Sequence, residues 1–416
     1  MLSHLADARI RMRAHRIQDW LIALLLIVSL AFIGYGFLLK PGSVPYSPYS
    51  DIVAYHLASK EILHRSVQAG QGVPFWRADQ VAGGPALTNP AALYTYPLHG
   101  LFFVLSPAGA MGWTIWLHLV IGALIYYALG HSLGLGRWPR LLMAVAALFN
   151  FKVLMAVYAG WLSFLASITL FPLLFVVMFR VVKSPGSANA LAMAATGALC
   201  LHTGPQLIYY SGLFLLAYLL VTLGALWRAG SHQKVRQVVG WVVCGGVLAI
   251  GMVAYLLLPL AAEAPLISRG LASDEFFRAG HSLGLRHLLT LFSPWALGTP
   301  LDGSYPGVEL WEDVAYFGLL PLLLACVGAV LGWHRPPARF LVAGFAVSLL
   351  LALDTPLLHL PYEFLPGFAC SACPAGCFSL WRSSGSRWPA SDSKNSWSAC
   401  GNVAPGLGGQ RWPPPA

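Results

Sequence analysis

The residue best placed to do chemistry is Asp51, an acid that follows the turn-rich run Tyr46-Ser-Pro-Tyr-Ser. A group-transfer reaction needs a side chain that accepts a proton, and a carboxylate is suited to that role. A simpler role also fits, because Ser50 or Asp51 would make a good N-cap for a helix that begins here. His56 lies five residues later, about 140° around an ideal α-helix. The spacing therefore does not favour an Asp51–His56 dyad.

Other charged residues suit the binding of a phosphate, a metal ion or a hydroxyl group. Glu263 and the pair Glu312-Asp313 lie beside apolar segments, where carboxylates can hold a divalent metal or accept hydrogen bonds. Arg269 and Arg286 have the side chain that best binds a phosphate. In each case the alternative is an ordinary interfacial role, with the carboxylates facing water and the arginines facing lipid headgroups.

Lys152 and His202 lie within apolar runs. An ionisable residue inside a membrane is costly and is therefore a functional candidate. A displacement of a few positions would instead let the Lys152 side chain extend to the interface. His202 precedes Thr-Gly-Pro205, so it can simply line a turn.

The composition predicts the environment of these residues. Of the 416 residues, 57% are hydrophobic and only 10% are charged, and the mean hydropathy is +0.68. An average soluble domain has about 25% charged residues. The chain is therefore predicted to be a membrane protein, which excludes a soluble enzyme, a DNA-binding module and a secreted disulfide scaffold. The arginines behind the net charge of +10 lie beside apolar runs, which favours a topological signal over nucleic-acid binding.

The predicted fold class is all-α, a polytopic helical membrane protein with about nine transmembrane helices. A helix needs about 20 mostly apolar residues to cross the hydrocarbon core, and the runs are apolar all round, unlike β-barrel strands. Tryptophans at the edges of these runs, such as Trp161 and Trp311, are typical of an interfacial aromatic belt. The predicted spans are Trp20–Leu39, Trp113–Gly130, Pro139–Tyr158, Trp161–Val182, Ala188–Thr203, Pro205–Leu226, Val238–Leu260, Val314–Trp333 and Phe340–Leu357.

Basic residues predict the orientation, because loops rich in Lys and Arg stay in the cytoplasm. Four arginines precede the first span, which places the N-terminal segment 1–19 in the cytoplasm. Nine crossings then put the two long loops, residues 40–111 and 261–313, on the outer side. Ten of the 15 acidic residues fall in these loops. Residues 20–367 are therefore expected to form one membrane domain with an acidic outer face.

The first long loop has a recognisable order of elements. Ile52–Gln68 mixes apolar and charged residues in the manner of an amphipathic helix on the membrane surface. Turn formers and aromatic residues follow, which indicates a structured loop. They form the runs Gly70-Gln-Gly-Val-Pro74-Phe-Trp76, Gly83-Gly-Pro85, Asn89-Pro90 and Tyr94-Thr-Tyr96-Pro97.

This order resembles the YfhO-type bacterial membrane proteins, a family related to the GT-C glycosyltransferases. The resemblance covers residues 15–367. Later elements agree with it, namely Leu257-Leu-Pro259 followed by Glu263 and Ser268-Arg269, Pro294-Trp295, and Glu312-Asp313-Val-Ala-Tyr316-Phe-Gly318.

The resemblance implies a GT-C-like glycosyltransferase in the bacterial cytoplasmic membrane. Such an enzyme takes a sugar from a polyprenyl-phosphate carrier and transfers it to a cell-envelope glycan, lipid or protein on the outer face. The family's base at the start of the first outer loop corresponds to Asp51. Candidates for the donor phosphate are Lys60, Arg269 and Arg286, and candidates for the acceptor or for a divalent metal, Mg²⁺ or Mn²⁺, are Glu263, Glu312 and Asp313.

Two other functions stay open from the residues. A transporter or flippase for a lipid-linked glycan would need paired polar groups within the membrane or broken helices. A non-catalytic membrane protein would need neither.

The composition changes abruptly after Gly367. Residues 368–416 hold four of the seven cysteines and many Ser, Gly, Pro and Trp residues. The Cys370, Cys373 and Cys377 spacing lacks a fourth ligand for a familiar zinc site. This segment is expected to be a frameshifted or degraded end.

Overall fold

The computed structural model is almost entirely helical. Helices make up 75% of it and sheet is nearly absent, which confirms the all-α class. Arg269 and the segment 368–416 lie outside the described residues, as do the side chains of residues 2–16, 205 and 206. The described residues are 2–47, 50–77, 83–89, 91–263, 283–299, 302–305, 310–353 and 364–365.

The α-helices run almost end to end along the chain. They are α1 (Leu2–Tyr35), α2 (Ala58–Gln68), α3 (Leu101–Val104), α4 (Pro107–Ser132), α5 (Arg137–Leu148), α6 (Phe151–Ala159), α7 (Leu162–Lys183), α8 (Ser187–Leu201), α9 (Pro205–Arg228), α10 (His232–Met252), α11 (Ala254–Glu263), α12 (Leu310–Asp313), α13 (Leu319–Leu331) and α14 (Pro336–Ala352). The remaining elements are 3-10 helices at Gly36–Leu39, Pro97–Gly100 and Leu285–Leu291, a π-helix at Ile52–Leu57, and strands β1 (Trp76–Arg77) and β2 (Gly84–Pro85), which pair antiparallel.

Among the described residues, six helical segments are long and apolar enough to cross a membrane. They are Ile17–Leu39, Pro107–Ser132, Arg137–Ala159, Leu162–Lys183, Leu207–Arg228 and His232–Met252. The protein is therefore polytopic, as predicted. The predicted fifth, eighth and ninth spans are also helical, but α8, α13 and α14 have only 15, 13 and 17 residues. The number nine stays a prediction.

The eighth predicted span is short because its first residues are not helical. Gly318 has a φ of +110°, and α13 begins only after it. The Ala315 amide instead donates to the Thr290 hydroxyl at 3.0 Å. Residues predicted to start a span thus belong to the second long loop.

The third span is broken in its middle. Helix α5 ends at Leu148 and α6 begins at Phe151. The Asn150 side chain caps α6 by accepting a hydrogen bond from the Lys152 amide at 2.8 Å, the usual role of asparagine before a helix. A long apolar run therefore yields two helices and not one.

The first long loop packs into the same core as the spans. Ile52, Leu63 and Phe102 from the loop and Ile27 and Ile115 from the spans are all completely buried in one cluster. The predicted amphipathic helix is confirmed over Ile52–Gln68, except that its first turn is a π-helix. A π-turn is rare and is often found at functional sites.

The two long loops meet at one end of the bundle. The Thr88 hydroxyl of the first loop donates to a Glu263 carboxylate oxygen at the start of the second, at 2.5 Å. The Ser47 hydroxyl donates to the Tyr158 carbonyl at the end of α6 at 2.9 Å. These contacts agree with the prediction that both loops face the same side.

Gly160 lets the first loop approach this end of α6, and substituting it should be costly. Its φ is +77°, and a Cβ there would lie 2.6 Å from the Ile52 nitrogen. We expect Gly160→Ala to reduce the free energy of unfolding by about 3 kcal/mol, from backbone strain and overpacking together. Denaturant unfolding of the purified protein measures this loss.

Gly134 is the matched control for Gly160. Its φ is +75° but no atom lies within 4 Å of a built Cβ, so Gly134→Ala should cost only about 1 kcal/mol of backbone strain. Equal losses for the two variants would contradict the close contact at Gly160.

Candidate functional site

The short turn between α6 and α7 holds the start of the first loop's helix. This α6–α7 turn consists of Gly160 and Trp161. A Cβ on Gly160 would lie 2.7 Å from the Ser50 hydroxyl oxygen and 2.8 Å from the Asp51 nitrogen. The backbone of Asp51 is therefore pressed against the turn, and only glycine leaves room for it.

Asp51 is exposed and its carboxylate does not cap the helix. Ser50 does so instead, because its hydroxyl accepts a hydrogen bond from the Ile52 amide at 3.2 Å. Partial burial raises the pKa of the Asp51 carboxyl above its ordinary value. The sequence left open whether Ser50 or Asp51 caps the helix, and in the structure Ser50 does so. Asp51 does not cap, and its carboxylate is more basic than usual.

Aromatic contacts bring α12 of the second loop to the same turn. The ring centroid of Trp311 lies 6.4 Å from that of Trp161 and 6.2 Å from that of Tyr158. The next residues along the chain are Glu312 and Asp313. The α6–α7 turn therefore contacts the backbone of Asp51 in one loop and, in the other, the Trp311 ring that precedes the acidic pair.

Lys152 joins α12 to α6 by hydrogen bonds. Its ammonium donates to the carbonyl of Trp311 at 2.6 Å and to that of Glu312 at 2.9 Å. Lys152, which the sequence marked as a functional candidate because it lies in an apolar run, therefore bonds to the second loop. It holds the backbone of α12 at the start of α6, just after the break in the third span.

Asp313 has a buried environment that the sequence did not indicate. The Tyr305 hydroxyl donates to an Asp313 carboxylate oxygen, and the Nε2 atom of His287 lies 3.8 Å from that oxygen. Burial and the Asp313 carboxylate raise the pKa of Tyr305, whereas the charge of Arg286 opposes the shift. Arg286 itself is exposed, so its guanidinium is available to an anion near Asp313.

The prediction that Lys60 binds the donor phosphate is wrong, because Lys60 does not face a surface that a phosphate could reach. Its side chain is completely buried. Its amine donates to the Ala92 carbonyl, lies 2.7 Å from His99 Nδ1 and lies 5.1 Å from the centre of the Tyr94 ring. Burial holds the pKa of Lys60 well below its usual range. The helix periodicity places Lys60 on the inner face of α2, so it organises the interior of the loop.

His56 belongs to the same buried group as Lys60. Burial first, and then the neighbouring Lys60, lower the pKa of His56 to about 3. The ideal-helix angle between Asp51 and His56 does not apply, because a π-helix bonds residues five apart. The pair still does not form a dyad, since His56 is buried and Asp51 is exposed.

The remaining candidates have different outcomes. Glu263 accepts the hydrogen bond from Thr88 described above, which makes it a contact between the loops. Arg269 lies outside the described residues. Within the described ranges no group of three His, Cys, Asp or Glu residues could hold a metal ion.

A partly open cavity of about 200 Å³ lies between the helices, beside the break in the third span. Asn150 and Val153 line it together with residues of α4, α7 and α13, and most of its surface is apolar. It is separate from the exposed side chain of Asp51.

The comparisons with known proteins add no family. No family model matches the chain, and no similar curated protein or solved structure was found. The resemblance to the YfhO-type proteins therefore rests on the motifs alone.

Removal of the Lys152 amine should loosen α12. We expect Lys152→Met to lower the free energy of unfolding by about 2 kcal/mol, because two carbonyls lose a charged donor. Thermal unfolding in detergent measures the change. Lys183→Met, at an exposed lysine, should have little effect. An equal loss of stability in both variants would argue against a stabilising contact between Lys152 and α12.

His56 should make the fold sensitive to acid. The folded chain binds a proton at His56 less readily than the unfolded chain, whose histidine has a pKa of about 6.5. Protonation therefore favours unfolding as the pH falls from about 6.5 towards 3. The unfolding temperature should decline less steeply over this range in His56→Gln than in the unmodified protein. Parallel curves would contradict this, and His334→Gln, at an exposed histidine, is the control.

Proposed function

We propose that this protein is a membrane glycosyltransferase that moves a sugar from a polyprenyl-phosphate carrier to a cell-envelope acceptor. The observation that carries the proposal is that both long loops contact α6 and the turn after it. Gly160 packs against the backbone of Asp51, and Trp161 contacts Trp311, which precedes Glu312-Asp313. Acidic residues from two long loops of a polytopic protein thus follow segments that contact one short helix and its turn. The motif order that resembles the GT-C relatives supports the same activity.

Asp51 is assigned the role of general base. Its exposed carboxylate takes the proton from an acceptor hydroxyl, whose oxygen then forms a bond to the anomeric carbon of the sugar. The bond from that carbon to the carrier phosphate breaks, and its electron pair leaves with the phosphate. A base works best when its pKa is near the working pH, and partial burial shifts Asp51 in that direction.

The departing phosphate needs positive charge near it, since negative charge builds up on the leaving oxygen. Arg286 is the candidate among the described residues, because it is exposed and its charge acts on Tyr305 beside Asp313. Arg269 stays a candidate from the sequence. Lys60 is withdrawn because it is buried.

The proposed setting is the bacterial cytoplasmic membrane, with the N-terminus in the cytoplasm. Both long loops then lie on the outer face, where a lipid-linked donor presents its sugar. This orientation rests on the arginines of residues 1–19.

One observation favours transport of a lipid-linked glycan as a second candidate. Broken helices beside a cavity are common at transporter binding sites, and the third span is broken next to the cavity of about 200 Å³. Lys152 donates to backbone carbonyls of α12 and interacts with the charges of Glu312 and Asp313, so opposite charges lie beside the break. Proteoliposomes that flip a fluorescent lipid-linked glycan without transferring its sugar would favour this candidate.

The base assignment predicts loss of transfer in Asp51→Asn. We expect the rate to fall by at least about 100-fold, the usual contribution of a general base, with an unchanged unfolding temperature. Transfer from a radiolabelled polyprenyl-phosphate sugar by the purified full-length protein measures this. Glu61→Gln is the control, because Glu61 lies in the same helical segment and pairs only with Arg65 four residues away among the described contacts. Undiminished turnover in Asp51→Asn would end the assignment.

A further inference from the structure

Two arginines and one aspartate meet at the end of α1 and α5 that lies away from the long loops. Arg137 and Arg140 lie in the first turn of α5, and Asp19 lies in α1. The Asp19 carboxylate is 3.7 Å from the Arg137 guanidinium and 3.6 Å from that of Arg140. The opposite ends of the two helices meet where the Tyr35 hydroxyl donates to the Leu148 carbonyl. In this Asp19 cluster (Asp19, Arg137 and Arg140), two positive charges therefore face one negative charge.

The other contacts of Arg140 supply no second negative charge. Its Nε donates to the Gly136 carbonyl at 3.2 Å, and its Nη1 donates to His131 Nδ1 at 3.2 Å. The guanidinium carbon also lies 5.0 Å from the centre of the Tyr127 ring. A carbonyl, an imidazole nitrogen and an aromatic face are acceptors without a full charge. Among the described residues, the cluster therefore keeps an excess positive charge.

The two arginines are partly removed from water. The side chain of Arg140 is 10% exposed and that of Arg137 is 37% exposed, and the buried Arg137 Nε has no hydrogen-bond partner among the described residues. A charge that leaves water is unfavourable unless an opposite charge lies close to it, and a buried donor without an acceptor adds to the cost. An anion would remove both costs, and Arg137 is the side chain that it can reach.

The neighbouring side chains indicate that this anion belongs to a lipid. Trp138 is 74% exposed, and its ring centre lies 5.4 Å from the Arg137 guanidinium carbon. Leu142 of α5 and Ile17 and Leu21 of α1 are also exposed. Tryptophan prefers the level at which lipid headgroups meet the hydrocarbon chains. A phospholipid can bring its phosphate to Arg137 and its chains to these apolar side chains, whereas a free phosphate would contact the arginine alone.

We propose that the Asp19 cluster binds the phosphate of an anionic phospholipid through Arg137. Basic pockets between transmembrane helices on the cytoplasmic side bind such headgroups, and the proposed orientation places this cluster in the cytoplasmic leaflet. A zwitterionic lipid is a poorer ligand, because its own ammonium cancels the charge that the cluster needs. The bound lipid joins α1 to the start of the third span. This site is separate from the long loops and does not depend on the glycosyltransferase proposal.

Native mass spectrometry of the purified full-length protein, released from detergent micelles, measures how tightly a lipid is retained. The unmodified protein should retain phosphatidylglycerol more tightly than phosphatidylcholine of the same chain length. Arg137→Gln should weaken the retention of phosphatidylglycerol by about tenfold, the usual effect of losing one hydrogen bond to a charged group. Arg228→Gln is the control, because Arg228 is an exposed arginine at the end of α9; it should bind as the unmodified protein does.

Asp19→Asn separates lipid binding from a purely structural ion pair. Removal of the carboxylate raises the unpaired positive charge of the cluster, so this variant should retain phosphatidylglycerol more tightly than the unmodified protein does. A structural ion pair alone predicts no such gain. A folded Asp19→Asn variant without the gain would contradict the proposal.

Unfolding temperatures show which variants are folded, and the comparison of the two lipids on the unmodified protein needs no variant. Equal retention of phosphatidylglycerol and phosphatidylcholine would overturn the proposal, as would undiminished retention of phosphatidylglycerol by Arg137→Gln. Inorganic phosphate tests the identity of the ligand. If it displaces phosphatidylglycerol from the protein, the cluster is a site for a free anion and the assignment to a lipid is wrong.

Discussion

The close approach of two backbone segments at Gly160 is the constraint on which the site depends. Contact at 2.6 to 2.8 Å from a built Cβ is possible only for a residue without a side chain, and a φ of +77° also favours glycine. The contact fixes where the first loop begins its helix. The burial of Ile52 and the exposure of Asp51 both follow from that placement, because they are neighbours on the same first turn.

A second contact brings the other loop to the same place. Lys152 lies eight residues before Gly160 and bonds to α12. The two ends of α6 thus each contact a different loop. Residues more than 250 positions apart in sequence, Asp51 and Glu312, are thus held at the two ends of one helix of nine residues.

Much of the architecture could be predicted because it depends on local composition. Apolar runs identified the helices, and the mixed pattern of Ile52–Gln68 identified the surface helix. The break in the third span was missed since every residue around it except Asn150 and Lys152 is apolar or small. Asparagine before Phe151 is an N-cap signal that could have located it.

The environments of individual polar residues were harder to predict. Lys60 was interpreted as an exposed cation, but a charged residue on an amphipathic helix can be drawn inward when a carbonyl and a neutral histidine accept it, as Ala92 and His99 do. His287 and Tyr305 were missed because no spacing rule in the sequence links them to their partner, Asp313. Trp161 had an adequate interfacial explanation, and its contact with the distant Trp311 could not be predicted from its place at the edge of an apolar run.

The break in the third span also separates the tilt of α5 in the bilayer from the position of α6 beside the loops. Helices tilt when the bilayer is thinner or thicker than their apolar length, and a span that is divided at Phe149 and Asn150 can tilt in α5 without turning α6 by the same angle. Helix α6 is about 13 Å long and takes its position from the two loops that it touches. Its contacts with the two loops, at Lys152 and at Gly160, therefore stay a fixed distance apart whatever the thickness of the surrounding lipid.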